Sequence, residues 1–590
     1  MKTFFKIVFL LTILAGCSKE QNLDINGEST IILYPNYTKT NISDDKISFT
    51  NNDLTALYIY TDEKSMIENL SMTYSSSDGN FRASYLPSIG EGPYSGKAHY
   101  YAYYPYSSIS GSKEVKGILP FNQKAPFDAN ANFMYAAVDG QFDYNGNSEV
   151  SMTYKQMMGL VRVSIRNISD LFAGEKLKGI SIKSAEGDAL CGEFSLPVGG
   201  TTPNFNSTAL ASRAEVVSTF ATSQQLAKGK TITTNIFIKP TTLKAGSLVR
   251  IITEKAIYEI PTKRDLQIVA GNLTVLPVIE LKDELATASV KGITTIICTG
   301  DSYTACGYPQ VLQGLVGPAF KVFNVGSSGD NALNISCRQG GVPFGNQKAF
   351  TIPETCTPVD FGGRVALYNQ GLEEIPTTIS HSTTRINPVE VNGVLGNISG
   401  NNFTRLTPGE AVHVEANTRF IPNSRRNDSN AIHVIYMGQN GGYRPNPQTG
   451  WSANEVLYRM HIMMTEWIED NRYVVLGFHN PQKYTPAYYD LFTSDDHFGK
   501  NNPKNGFISH FVDLYGEVLY NTERVLVNEM HYISTLDALS DIDRKCIYEN
   551  KTWPAAFFTT YPTDIHPGPT GNLYMATLVY RKLKELGYLD

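Results

Sequence analysis

Ser302, Gly329, Asn440, Asp564 and His566 are the residues of this 590-residue chain whose types and order could do covalent chemistry. Ser302 closes Gly300-Asp301-Ser302, where a run of β-formers over 293–299 stops and a segment able to form a helix begins. Gly329 lies in Val325-Gly326-Ser327-Ser328-Gly329-Asp330, and Asn440 in Gly438-Gln439-Asn440-Gly441-Gly442. His566 is one of only ten histidines and has Asp564 two residues before it, in Thr563-Asp564-Ile565-His566-Pro567. A hydroxyl is a poor nucleophile until a base takes its proton, so a strand-end serine with a downstream histidine and carboxylate is a candidate for nucleophilic catalysis. Gly-Asp-Ser alone could end any strand; the other three segments, in this order, give it meaning.

Residues this far apart must be gathered by regular elements. Apolar or β-branched runs over 293–299, 320–324, 432–437 and 473–478 predict strands, and the segments 303–316, 454–469 and 572–586 predict helices between and after them. Strand and helix in alternation imply a parallel sheet covered on both faces. Such sheets place their sites beyond the carboxyl ends of the strands, and Ser302, Gly329 and Asn440 each follow a strand end.

With these blocks in order, the chain from about residue 293 to 590 resembles the SGNH or GDSL hydrolase superfamily. The resemblance implies a flavodoxin-like α/β/α domain with Ser302 as nucleophile and His566 as its base. It also implies an oxyanion hole formed by the backbone N–H groups of Ser302 and Gly329 and the side-chain amide of Asn440, and an acyl-enzyme route for cleaving esters. In the usual pattern the triad Asp stands three residues before the His; here Thr563 holds that position. Asp564, one residue closer, is assigned the role. The stretch 339–430 is long and β-like, and Arg338-Gln339-Gly340-Gly341 before it resembles a phage and bacterial subgroup carrying a small inserted β-domain or lid.

The first half reads differently. From 31 to 281, short alternating stretches broken by Gly, Asn, Ser and Pro predict β-sandwiches, two in series. The segment His99-Tyr100-Tyr101-Ala102-Tyr103-Tyr104-Pro105-Tyr106, followed by Tyr135-Ala136 and then 152–165, resembles the fimbrillin-like proteins of Bacteroidetes-type bacteria. That implies β-sandwich modules used in pili, adhesins or surface lipoproteins. The fold class expected is thus multidomain: a β-sandwich region over 31–281, a linker over 282–292, and an α/β/α hydrolase domain over 293–590 with a β insertion over about 339–430. The length alone suggests roughly three or four compact units.

The N-terminus supplies an address. Lys2 and Lys6 precede an apolar run over 7–14, then Leu14-Ala15-Gly16-Cys17. This resembles a bacterial lipobox and implies a signal peptide over 1–17, lipid attachment at Cys17, a tether over 18–30 and an outer-membrane, surface-exposed lipoprotein. The formal net charge of -6 gives no reason to expect nucleic acid. His433, His461 and His479 lack mutual ligand spacing, so no metal is expected, and no cofactor is implied.

The leading expectation is a lipid-anchored serine esterase that removes O-acetyl or another short acyl group from a glycan, with residues 31–281 free to contact glycan or surface protein. The alternative is a surface adhesin or pilus-related glycan-binding protein whose C-terminal domain does no chemistry. A long-chain lipase or thioesterase is disfavoured because no extended apolar lid is evident.

Overall fold

The computed structural model describes most of residues 29–589; residues 1–28, 38–48, 86–94, 376–385, 479–506, most of 515–539 and a few isolated positions lie outside it. The signal peptide, Cys17 and nearly all of the tether therefore fall outside the described residues. No helix among the described residues is long and apolar enough to cross a membrane. The chain divides into two compact units, fewer than its length suggests.

The first unit is built from residues up to 37, 47–102 and 136–154. Its strands close into a barrel in the order Ser29–Tyr37, Asn80–Tyr85, Ser65–Ser75, Leu54–Tyr60, Ser95–Tyr104, Met134–Asp143 and Ser148–Gln156. The strand Ser148–Gln156 buries every second residue, as a pleated strand with one face on a core must. Phe49, Phe81 and Tyr154 stack edge to face inside this unit.

The second unit holds the remaining β-strands of the first half and the whole C-terminal region. A six-stranded sheet runs Val290–Gly292, Ala256–Pro261, Leu248–Thr253, Lys176–Lys183, Glu215–Gln225, Asn122–Lys124. A second sheet is centred on Gly159–Asn167, whose Val161, Val163 and Ile165 are buried between partly exposed Arg162 and Ser164. The first half is β-rich with many sheets, as its alternation implies.

Within the expected linker, Asp283–Thr287 is helical and Val290–Gly292 pairs with Ala256–Pro261. The polypeptide therefore passes directly from a strand of the six-stranded sheet into the strand Thr294–Gly300. Arg213 fastens the two regions. Its guanidinium lies 4.1 Å from the Phe121 ring centroid and 4.2 Å from that of Tyr580, and Nη1 donates to the Leu315 carbonyl at 2.6 Å. A chain beginning at Asp283 would lose Arg213 and Phe121 from this contact. We expect it to be destabilised by about 2 kcal/mol or more, read as an earlier denaturant midpoint in tryptophan fluorescence. All three tryptophans, Trp451, Trp467 and Trp553, lie in the C-terminal region and report on it alone.

That region is organised by a five-stranded sheet in the order Phe320–Gly326, Thr294–Gly300, Ile432–Tyr436, Tyr473–Leu476, Phe511–Val512, with every neighbouring pair parallel. Ile296 faces Ile432, and Cys298 faces Asn324, in register. Helices are few. Tyr308–Val316, Ala332–Gln339, Ala453–Thr465 and Pro569–Glu585 accompany the sheet. The helix expected over 303–316 is broken into Ser302–Ala305 and Tyr308–Val316 by Gly307, whose φ of 130° cannot continue a helix.

Between the helix Ala332–Gln339 and the strand Ile432–Tyr436 lie short antiparallel strands, among them Phe344–Asn346, Arg364–Tyr368, Val394–Ser399 and Asn402–Arg405. Phe344, Phe361 and Phe403 surround Phe420 at their centre. Most buried residues of sheet and insert form one continuous cluster, while Ile297, Val325 and Ala431 form a small separate one.

Candidate functional site

The strand Thr294–Gly300 ends on a residue that must be glycine, since a Cβ at 300 would meet Thr304 Oγ1 at 2.2 Å and the Tyr436 carbonyl at 2.7 Å. The chain then turns sharply. Asp301 caps the short helix Ser302–Ala305 by accepting from the Tyr303 N–H at 2.9 Å, which puts Ser302 at the helix start and only partly buried.

His566 reaches Ser302 from the other end of the sequence. The strand Asp564–Pro567 pairs with Phe558–Thr560, and the Thr559 hydroxyl donates to the His566 carbonyl at 3.1 Å, fixing the backbone. His566 Nε2 is 3.0 Å from Ser302 Oγ, and Nδ1 is 2.7 Å from Asp564 Oδ1. The same Asp564 oxygen accepts from the His566 backbone N–H at 3.1 Å, so the carboxylate folds back over two donors of one residue. These two hydrogen bonds hold Asp564 below its ordinary carboxylate range. An ionised Asp564 accepts from Nδ1–H, which leaves Nε2 free to accept the Ser302 proton. Thr563 does not face the imidazole; its hydroxyl donates to the Thr560 carbonyl at 3.0 Å.

Gly329 and Asn440 lie on two loops joined to each other. Asn440 Nδ2 donates to the Asp330 carbonyl at 3.1 Å, and Ala332 N–H donates to the Gly441 carbonyl at 2.8 Å. Gly329 itself is exposed, at φ 82°. Ser327 N–H donates to the Gly300 carbonyl at 3.0 Å and ties the Gly329 loop to the end of the serine strand. Direct contacts thus unite Ser302, His566 and Asp564, while Gly329 and Asn440 reach the same sheet edge through neighbouring backbone.

The burial and contacts of two residues escaped sequence reasoning. The first is Arg338, only 1% exposed. Its guanidinium donates to Asp330 Oδ2 (Nε at 3.1 Å), to the Val325 carbonyl (Nη1 at 2.6 Å) and to the Gly300 carbonyl (Nη2 at 3.1 Å). One side chain so binds the ends of two parallel strands and the Gly329 loop. In sequence Arg338 only opens the Arg338-Gln339-Gly340-Gly341 block and shows none of these partners; that every residue of Ala332–Gln339 is buried is a tertiary fact.

The second is Asp301, fully buried, with Oδ2 unpartnered among the described residues. Burial pushes its pKa up to about 7, against the opposing Tyr303 hydrogen bond. Because the folded-state pKa is raised, ionisation costs more in the folded than in the unfolded chain. Stability from this group is therefore present below pH 4 and falls as pH rises towards 7. Asp301→Asn is expected to flatten that decline and to be the more stable form at pH 8 by on the order of 2 kcal/mol. Denaturant midpoints at pH 5 and pH 8 check it.

Cys191, Cys298, Cys306, Cys337, Cys356 and Cys546 are all free thiols, so no disulfide stiffens either unit among the described residues. No group of three or more His, Cys, Asp or Glu among the described residues is placed to hold a metal.

Comparison with known proteins bears on the first half. No curated protein matches the chain significantly. A protein of Bacteroides ovatus described as a cell adhesion protein aligns over 45% of this chain and 96% of its own, at 13% identity and TM-score 0.33. A fimbrial protein from the same species aligns over 44% and 50%, at 15% identity and TM-score 0.23. A fimbrial assembly protein of Parabacteroides distasonis aligns over 45% and 93%, at 12% identity and TM-score 0.22. The model of the fimbrillin-like family matches residues 38–294, and this stretch of the chain is a fimbrillin-like region.

Proposed function

We propose that this is an adhesion protein of the cell surface or envelope. The observation that carries the reading is the fimbrillin-like region over 38–294, and the solved structures reported above include proteins described as cell adhesion and fimbrial proteins. The expectation of a glycan-deacylating esterase is corrected by the same match: the family it points to is fimbrillin-like. The reason is physical. A serine, a histidine and a carboxylate in order state which local chemistry is possible, and nothing in their spacing selects an acylated glycan or says what the rest of the chain is for. Residues 31–281 are the part proposed to contact glycan or surface protein, and attachment to a membrane through Cys17 belongs to this same proposal. Beads carrying the full chain should adhere to bacterial or host-cell surfaces above uncoated beads; equal adherence would reject the reading.

A narrower second reading rests on one observation, the contacts of His566 with Ser302 and Asp564. It is that the C-terminal region, in a three-layer arrangement of the SGNH kind, holds a carboxylic ester hydrolase centre. Ser302 Oγ would attack the ester carbonyl carbon as His566 takes its proton. The alcohol would leave with that proton, and water would release the acid from the acyl-serine. Phosphonylation of Ser302 by a fluorophosphonate tests the centre, and an unlabelled Ser302 in folded protein would reject it.

A further inference from the structure

A groove of about 360 Å³ lies in the fimbrillin-like part of the second unit, on a three-stranded antiparallel sheet ordered Asn204–Phe205, Gly192–Pro197, Glu114–Leu119. Along Glu114–Leu119 the buried Val115, Gly117 and Leu119 alternate with the partly exposed Glu114, Lys116 and Ile118, which line the groove. Register sets the lining in rungs. Lys116 stands opposite Ser195 and Ser195 opposite Asn204, while Ile118 stands opposite Glu193. The Asn206 N–H donates to the Glu193 carbonyl at 3.0 Å and extends that second rung. With strands about 4.8 Å apart and alternate residues of one strand about 6.7 Å apart, the rungs make a grid on the scale of a sugar ring and its hydroxyls.

The grid is polar without a positive surplus. Its lining sets the carboxylates of Glu114 and Glu193 against one ammonium, Lys116, which lies 3.4 Å from Glu114. The Ser195 hydroxyl and then the Lys116 ammonium hold the Glu114 carboxyl below its ordinary range, so these groups are already arranged against one another. An acidic ligand therefore gains nothing here over a neutral one. Carboxylates accept, amides and hydroxyls both donate and accept, and each such group serves more than one hydrogen bond. A sugar presents the complement: hydroxyls that donate and accept at short intervals, with C–H faces between them. Ile118 and Phe205 give those faces apolar surface, and Phe205 is steadied by Phe194, with ring centroids 5.3 Å apart. An extended peptide adds to a sheet edge through backbone bonds, whereas this groove offers side chains on a sheet face. Its volume falls within the range of about 300–1,000 Å³ typical of ligand pockets.

We infer that this groove binds a neutral oligosaccharide, as the ligand class of the adhesion reading on which the inference rests. Beads carrying the full chain should capture neutral hexose or N-acetylhexosamine oligosaccharides on a glycan array in preference to sulfated or uronic ones. Raising salt should leave that capture unchanged, since screening acts on charge. Asn204→Ala and Glu193→Gln should each weaken capture about tenfold. Asn204 is exposed, so its substitution should leave the thermal midpoint in place, and it decides alone if Glu193→Gln fails to fold. Unchanged capture in Asn204→Ala, or capture confined to acidic glycans, overturns the inference. Beads that adhere to cells while the array shows no neutral capture overturn it too and leave the adhesion reading standing. Beads that do not adhere to cells reject that reading, and the array with its variants still decides the groove.

Discussion

Replacing Ser302 by alanine is expected to abolish turnover of small aryl acetates and labelling by a fluorophosphonate, with the fold intact. Ser302 is only partly buried and its hydroxyl meets His566, so the substitution removes the proposed nucleophile and leaves no core cavity. Asp564→Asn should be nearly as severe, on the order of 10⁴-fold in turnover, because an amide presents the wrong partner to Nδ1–H and disfavours the tautomer that leaves Nε2 to accept. Thr563→Val should change little, since that hydroxyl is engaged with the Thr560 carbonyl. A mild Asp564→Asn beside a severe His566→Ala would make the centre a Ser-His dyad. Turnover retained in Ser302→Ala would remove the hydrolase reading altogether and leave the adhesion reading untouched.

The second large effect is on stability. Arg338→Met should destabilise the C-terminal region by about 3–5 kcal/mol, because it removes the buried cation 3.0 Å from the Asp330 carboxylate, itself 3% exposed. It also takes a donor from the carbonyls of Gly300 and Val325. Burial lowers the Arg338 pKa while Asp330 opposes the shift, as expected of a desolvated pair. The double variant Arg338→Met, Asp330→Asn should recover part of the loss, because it also removes the buried charge that Arg338 had faced. Denaturant unfolding followed by tryptophan fluorescence measures all three forms. A loss under 1 kcal/mol in Arg338→Met would mean that the strand ends are held by their backbone bonds alone.

The sequence by itself carried the information that is local or periodic. Alternation within short stretches marks strands because side-chain direction repeats every two residues, so the β-rich character of the first half was legible from its short alternating stretches over 31–281. The parallel strands of the second half were legible for the same reason, since strands buried on both faces read as apolar runs like Ile432–Tyr436. Alternation says nothing about which strand neighbours which. Closure of the first unit into a barrel, the pairing of Val290–Gly292 with the six-stranded sheet, and the Arg213 contact all depend on partners distant in sequence.

The candidate site divides along the same line. Residue types and their order pointed to Ser302, Asp564 and His566, and only the fold could decide which neighbour the imidazole meets. Asp564 meets it because the strand Asp564–Pro567 pairs with Phe558–Thr560 and turns its carboxylate back over His566, while Thr563 is spent on its own turn. The buried partners of Arg338 and the burial of Asp301 were invisible for a related reason. A charge looks solvated in a sequence, and its meaning changes only when tertiary packing removes the water around it.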